Sequence, residues 1–300
     1  DLVEDFRKRY NVEMMPQVAH FGKAELLDRG DQQERIRAYL GNLVRADVES
    51  KVSTLSVNQI RDNLASTIEH NWTHAIIITP ATNHSPTFVN TVQASQQVAV
   101  VVNRVRKSSV NPFAFHIGVV DSGNIAAGQG VLAFDAVARI HVGLFGDRLI
   151  HHLEGMRLLV HNFVVTRDTH YIERDNTHLC AQSWGGWSRI LAAFGWLPIF
   201  HITGGKARMI KRVRGYDAAV GHALQRAIDG IAAGLKTPAV CLSYAGDPLE
   251  LDRFPQFAAL KDAARAKKIR ILITPMSLIE GARLGRYALS VAFASSGYRP

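Results

Sequence analysis

Apolar positions along the 300-residue chain follow two rhythms. In the first half, helical spacing alternates with short solid apolar runs, as an α/β fold requires. Residues 1–10 predict a helix, "VEMMPQV" (12–18) a strand and "QQERIRAYLGNLV" (32–44) a helix. "SVNQIRDNLASTIEHN" (56–71) predicts another helix with Ser56 as N-cap. "HAIIIT" (74–79) lacks alternation and predicts a strand covered on both faces, as in a parallel sheet. A helix over 88–97, a strand in "AFHIGVVDS" (114–122) and helices over 130–142 and about 147–160 complete this half.

The second half reads as runs of strand. "NFVVTR" (162–167) is a strand, and a helical stretch runs from "HYIERDN" (170–176) to "WSRILAAFGW" (187–196). "LPIFHIT" and "KARMIKRV" predict a hairpin turning at Gly204-Gly205. A helix with small residues on one side (215–235), a strand "AVCLSY" (239–244) and a helix over 251–268 follow. Strands "IRILIT" (269–274) and "YALSVAFA" (287–294) close the chain. The pattern predicts two α/β domains, 1–161 with a parallel sheet and 162–300 with a mixed sheet carrying helices on one face.

Composition narrows the classes. At 47% apolar residues the chain can bury a sizeable core, yet no apolar run nears the roughly 20 residues that span a bilayer. No secretory signal is read; the chain opens on Asp1, so its natural start is expected upstream. Cys180 and Cys241 lack CxxC spacing and read as buried thiols, and a cytoplasmic location is expected. The net charge of +9 suits an acidic partner or an anionic membrane surface. The basic residues are scattered, densest at Lys206, Arg208, Lys211, Arg212 and Arg214, so no nucleic-acid partner is expected. The thirteen histidines lack ligand spacing, and no metal is expected.

Two predicted strand ends carry candidate chemistry. "AIIITPATNHSPTF" runs from strand through a hydroxyl-rich loop into a helix, with Ser85 at the N-cap and Pro86 just inside. In a parallel sheet, ligands bind at this edge, and a helix N-terminus stabilises an anion there. Ser85 and Thr87 can donate to a carboxylate or phosphate; equally, Ser85 can simply cap its helix. "VVDSGNIAAGQG" ends a second strand on Asp121 and Ser122, with glycines that permit close backbone approach. It is neither a P-loop nor a dinucleotide fingerprint. Asp121 reads first as a turn residue. No GxSxG elbow exists, and adjacent His84 and Ser85 do not make a triad. Trp184, Trp187, Phe194, Trp196 and Phe200, interleaved with glycines, either pack a core or line an apolar slot.

With these segments in order, the chain resembles the DegV family of bacterial fatty-acid-binding proteins. "DLVEDFRKRYNVEMMPQ" is similar to the family opening, "SPTF" to its "SGTY", "VVDSGNIAAGQGVLAFDAV" to its Asp-Ser/glycine segment, and "LPIFHITGGKARMIKRVRGYDAAV" to its hairpin and following helix. The resemblance implies a flavodoxin-like parallel domain joined to a mixed-sheet domain. It also implies one long-chain fatty acid in a tunnel between them and no catalysis or cofactor of the protein's own. A partner kinase would phosphorylate the carboxylate, or an acyltransferase would receive it; transient contact with an anionic membrane is the further expectation. Mapped onto this chain, Ser85 and Thr87 hold the carboxylate, Ser53 of "VSTLS" is a looser third match, and Arg214 matches the arginine near the acyl-phosphate. Asp121 and Ser122 line the same edge. Three departures stand out. Pro86 replaces the glycine of "SGTY", the family's "GGRI" is missing from "ERDNTHLC", and Arg283 of "RLGRY" stands where a functional histidine would be. The rival readings are an esterase or acyl transferase using Ser85, and an interaction module without lipid.

A sixteen-carbon chain gains about 0.8 kcal/mol per buried methylene, on the order of 10 kcal/mol before ordering costs. Each hydrogen bond to a charged group adds about 1.5–3 kcal/mol. On this reasoning the apolar tunnel supplies affinity and the hydroxyls set orientation.

Overall fold

The computed structural model describes residues 4–41, 43–45, 47–68, 72–107, 114–171 and 193–300. Helix α1 (Glu4–Arg9) leads into a hairpin of β1 (Gln17–Phe21) and β2 (Ala24–Asp28). The predicted strand over 12–18 is therefore corrected: the ladder starts after Pro16, which has no N–H to give it. Gly22, at φ 58°, makes the turn. Strand β3 (Ser50–Val52) pairs with the other side of β1, giving a small antiparallel sheet that the apolar pattern did not reveal.

Helix α2 (Gln32–Leu40) is capped by Asp31, and α3 (Val57–Thr67) by Ser56 in a capping box with Gln59. Strands β4 (His74–Thr79) and β5 (His116–Asp121) form a parallel pair, followed by α4 (Thr87–Lys107) and α5 (Ala127–His141) respectively. Helix α6 (Gly146–Met156) comes next. As the absence of alternation predicts, β4 is covered on both faces. Ile76 and Ile78 pack against Val131, Leu149 and Leu153, and Ile77 packs against Ile60, Leu64 and Ala94. Helix α4 runs ten residues beyond the predicted end at Gln97.

Among the described residues the larger sheet has six strands in the order β10-β9-β11-β6-β7-β8. They are β6 (Val160–Val165), β7 (Trp196–Thr203), β8 (Lys206–Arg214), β9 (Ala239–Tyr244), β10 (Arg270–Pro275) and β11 (Leu289–Ala294). Only β9 and β10 run parallel, so the sheet is mixed as expected. Every residue of β6, β9 and β11 is buried, so both faces need cover. Helices α7 (Tyr216–Ala233) and α8 (Pro255–Ala266) cover one face, over Phe163, Leu242, Val291 and Phe293. The other face packs on α5 through Cys241 and Ala292, and on β1 and α9 (Leu278–Leu284) through Val164, Phe200 and Ile202. The expectation of helices on one face only is thus corrected: strands buried throughout leave two apolar faces. The small-residue side of α7 has a steric cause, since a Cβ on Gly230 would lie 2.3 Å from the Phe293 ring.

Candidate functional site

The parallel order of β4 and β5 brings their C-terminal ends, and the loops behind them, side by side. Ser122 N–H donates to the Thr79 carbonyl (3.1 Å), and Ala81 N–H to the Asn124 carbonyl (2.9 Å). The 80–86 and 122–126 loops therefore form one polar floor. On it, the Ser85 and Thr87 hydroxyls lie 2.6 Å apart, and Ser85 Oγ accepts the Thr87 N–H at 3.3 Å. Both residues are buried. Within that pair one hydroxyl donates to the other, leaving one proton to offer outward.

The acidic and hydroxyl residues of the second loop are committed to its own shape. Asp121 accepts from Thr82 Oγ1 and from Gly123 N–H, both at 2.8 Å, and lies 3.3 Å from Arg157. Ser122 Oγ donates to the Asn124 carbonyl (2.9 Å) and accepts the Asn124 N–H (3.1 Å). Both therefore hold the turn. Gly123, at φ 58°, is required here, because a Cβ would fall 2.8 Å from Gly205 N. Gly205 sits in the tip of the β7–β8 hairpin, at the Gly204-Gly205 turn. Its N–H donates to the Gly123 carbonyl (2.8 Å), and its carbonyl accepts from the Asn83 side chain. The hairpin tip is thus docked onto the loop floor.

Helix α9 closes the opposite side. Ser277 caps it by accepting Glu280 N–H, and the "SLIE" run carries this S-x-x-E signature in the sequence. His84 Nε2 donates to Glu280 Oε2 at 3.3 Å, while Arg283 lies 3.5 Å from Glu280 Oε1. The His84 and Glu280 side chains are about 5% exposed or less, which makes this a buried pair. Burial alone would raise the Glu280 carboxyl, but His84 and then Arg283 hold it down at about 2. The loop carrying Ser85 is therefore latched to α9 by charge. Helix α9 and the 122–126 loop contribute to an apolar layer that includes Ile125, Phe200, Ile202, Met276 and Leu284.

The remaining sequence candidates are placed elsewhere or otherwise engaged. Ser53 is exposed after β3 and lies 3.1 Å from His20 Nε2. Arg214 is exposed at the open end of the hairpin, opposite Trp196. That is roughly 25 Å along the strands from the turn docked beside Asn83. Arg283 is turned to Glu280. Of the aromatic cluster, Phe200 is fully buried whereas Phe194 is 66% exposed; Trp184, Trp187 and Cys180 lie outside the described residues, as does "ERDNTHLC". The sequence reading passed over Asn124, His84 in its pairing role, and Glu280. Among the described residues no group of His, Cys, Asp and Glu is placed to hold a metal.

Near the open end of the hairpin a cleft of about 500 Å³ is lined by Arg45, Arg167, Tyr171, Leu197, Arg286 and Tyr287. Arg167 stacks over the Tyr216 and Tyr287 rings at 5.6 and 4.7 Å, and Arg286 over Tyr287 at 4.6 Å.

A parallel pair and a mixed sheet whose loops meet at one floor make this an α/β fold, a class in which ligands bind at strand ends. A family model described as "Uncharacterised protein, DegV family" matches residues 1–296, and the chain belongs to the DegV family. A DegV domain-containing protein of Xanthomonas campestris pv. campestris is 27% identical over 296 residues, covering 98% of this chain and 94% of that protein. Among solved structures, a stearic-acid-binding protein from Eubacterium ventriosum superposes with a TM-score of 0.76 at 16% identity, over 98% of this chain and 95% of its own. The Streptococcus pneumoniae fatty acid kinase (Fak) B3 protein, loaded with linoleic acid, gives a TM-score of 0.63 at 13% identity, over 93% and 90%.

Proposed function

We propose that this protein is a fatty-acid carrier that holds a long-chain acyl group with its polar end at Ser85 and Thr87. The observation that carries the reading is the buried hydroxyl pair beyond β4, on a loop hydrogen-bonded to the one that contributes Ile125 to an apolar layer. The acyl chain follows the layer between β7 and α9, past Ile125, Phe200, Ile202 and Leu284. The fatty acids bound by the E. ventriosum and S. pneumoniae proteins support this ligand class. The carrier performs no chemistry itself. A partner kinase or acyltransferase acts on the presented carboxylate, in the cytoplasm, and the basic outer strand β8 (Lys206–Arg214) is the face offered to that partner or to an anionic membrane.

The geometry disfavours the esterase reading. Ser85 Oγ is engaged with Thr87, and His84 Nε2 with Glu280, so among the described residues no base is hydrogen-bonded to the serine. Titrating stearate into wild type and into the Ser85→Ala/Thr87→Ala variant tests the site. Each lost hydrogen bond to a charged head group is worth about 1.5–3 kcal/mol, so affinity falls at least tenfold. Equal affinities would remove the head group from this loop.

A further inference from the structure

Asn124 is fully buried, yet neither its side-chain Nδ2 nor its Oδ1 has a hydrogen-bond partner among the described residues. Leaving both halves of a buried amide unpaired is costly, and proteins rarely do so without a reason. The backbone around it is firmly held. Its N–H and carbonyl both bond to Ser122 Oγ, and its carbonyl also accepts Ala81 N–H from the loop that carries Ser85.

The usual structural use of such an asparagine is absent. Helix α5 begins three residues later and has no side-chain cap. Instead the chain makes room for the amide, since a Cβ on Gly128 would lie 2.5 Å from Asn124 Oδ1. Its neighbours Asp121 and Ser122 are consumed by the turn, and the nearby cations Arg157 and Arg283 face Asp121 and Glu280. Asn124 therefore has the one uncommitted polar side chain described at this loop junction besides the outward proton of the Ser85–Thr87 pair.

We infer that Asn124 is a head-group ligand of the acyl site, with Nδ2 donating to an oxygen of the fatty-acid carboxylate alongside Ser85 and Thr87. The inference rests on the carrier reading above and adds a residue and a role to it. The amide supplies a neutral donor where both local arginines are already paired. It selects an oxygen-bearing head group by hydrogen bonding rather than by net charge.

Stearate titrations and urea unfolding of wild type, Asn124→Ala and Asn124→Asp test this. Asn124→Ala is expected to bind about tenfold more weakly, the scale of one such hydrogen bond, with its unfolding midpoint unchanged or raised. A purely structural asparagine would instead lower the midpoint. Asn124→Asp, which swaps the donor for a carboxylate oxygen, is expected to bind more weakly than Asn124→Ala at pH 8. Affinities for both variants equal to wild type, or a lowered Asn124→Ala midpoint with unchanged affinity, overturn the assignment. Should Asn124→Ala not fold, the Asn124 side-chain amide signals of the wild type, followed by NMR through a stearate titration, decide instead. A shift supports the contact, and unchanged signals overturn it. Failure of the wild type to take up stearate or other fatty acids overturns the carrier reading and this inference together. Wild-type uptake with an indifferent Asn124→Ala overturns this inference alone.

Discussion

The two ends of the β7–β8 hairpin differ in how they treat charge. At the turn, docked on the loop floor, Glu280 is paired with His84 and Arg283, and Asp121 with Arg157. What is left to meet a ligand is neutral, the Ser85–Thr87 hydroxyls and the Asn124 amide. At the open end, Arg214 is exposed, and Arg167 and Arg286 stack on tyrosine rings in an open cleft. Exposed Arg214 thus lies away from the proposed acyl site. Neutral donors and an apolar layer suit an amphipathic ligand whose tail supplies the affinity, while exposed guanidinium groups suit an acidic surface.

The largest effect that sharpens this contrast comes from Glu280→Ala. It leaves His84 and Arg283 buried without their carboxylate, and removing one member of a buried ion pair costs about 3–5 kcal/mol. Urea unfolding at neutral pH measures it; a loss below about 1 kcal/mol, the scale of exposed pairs, would mean the latch carries no such weight.

A smaller effect is the pH dependence of that latch. Glu280 titrates at about 2 in the folded protein against 4.5 when unperturbed, so the unfolded chain binds the proton more readily. Its contribution is complete above pH 4.5 and is lost as pH falls through about 2. His201 behaves separately. Burial, then the neighbouring His161, hold its imidazole down at about 4 against 6.5. Its contribution is complete above 6.5 and lost as pH falls toward 4. Stability followed from pH 7 to 2.5 is expected to fall in both windows, and Glu280→Gln should flatten only the lower one.

The smallest effect is at the other end. Arg214→Gln is expected to leave stearate affinity within about twofold of wild type, given its place at the far end of the hairpin. A tenfold loss in the same titration would bring the basic end into the acyl site and break the contrast.

Sequence signals are legible where one short segment decides the outcome. Ser56 caps its helix and Gly204-Gly205 turn the hairpin as their spacing indicates, and the uninterrupted apolar run of β4 is covered on both faces. The "SLIE" cap before α9 is an equally local signature. The relations that define the site are long-range. His84 meets Glu280 across 196 positions, and Asn83 meets Gly205 across 122, which no spacing rule reaches. Arg214 sits at the far end of the hairpin and Arg283 is turned to Glu280, placements that a motif match does not specify. Asn124 escaped notice because a lone asparagine in a glycine-rich turn looks like turn chemistry, and its uncommitted amide becomes visible only once its neighbours' bonds are drawn.

The central claim is that the molecule carries a fatty acid, and what the purified protein already holds tests that most directly. Organic extraction followed by mass spectrometry is expected to release long-chain fatty acid at close to one molecule per chain from wild type, and far less from Ser85→Ala/Thr87→Ala. An extract without fatty acid, from a protein that also fails to take up added oleate or palmitate, would contradict the account.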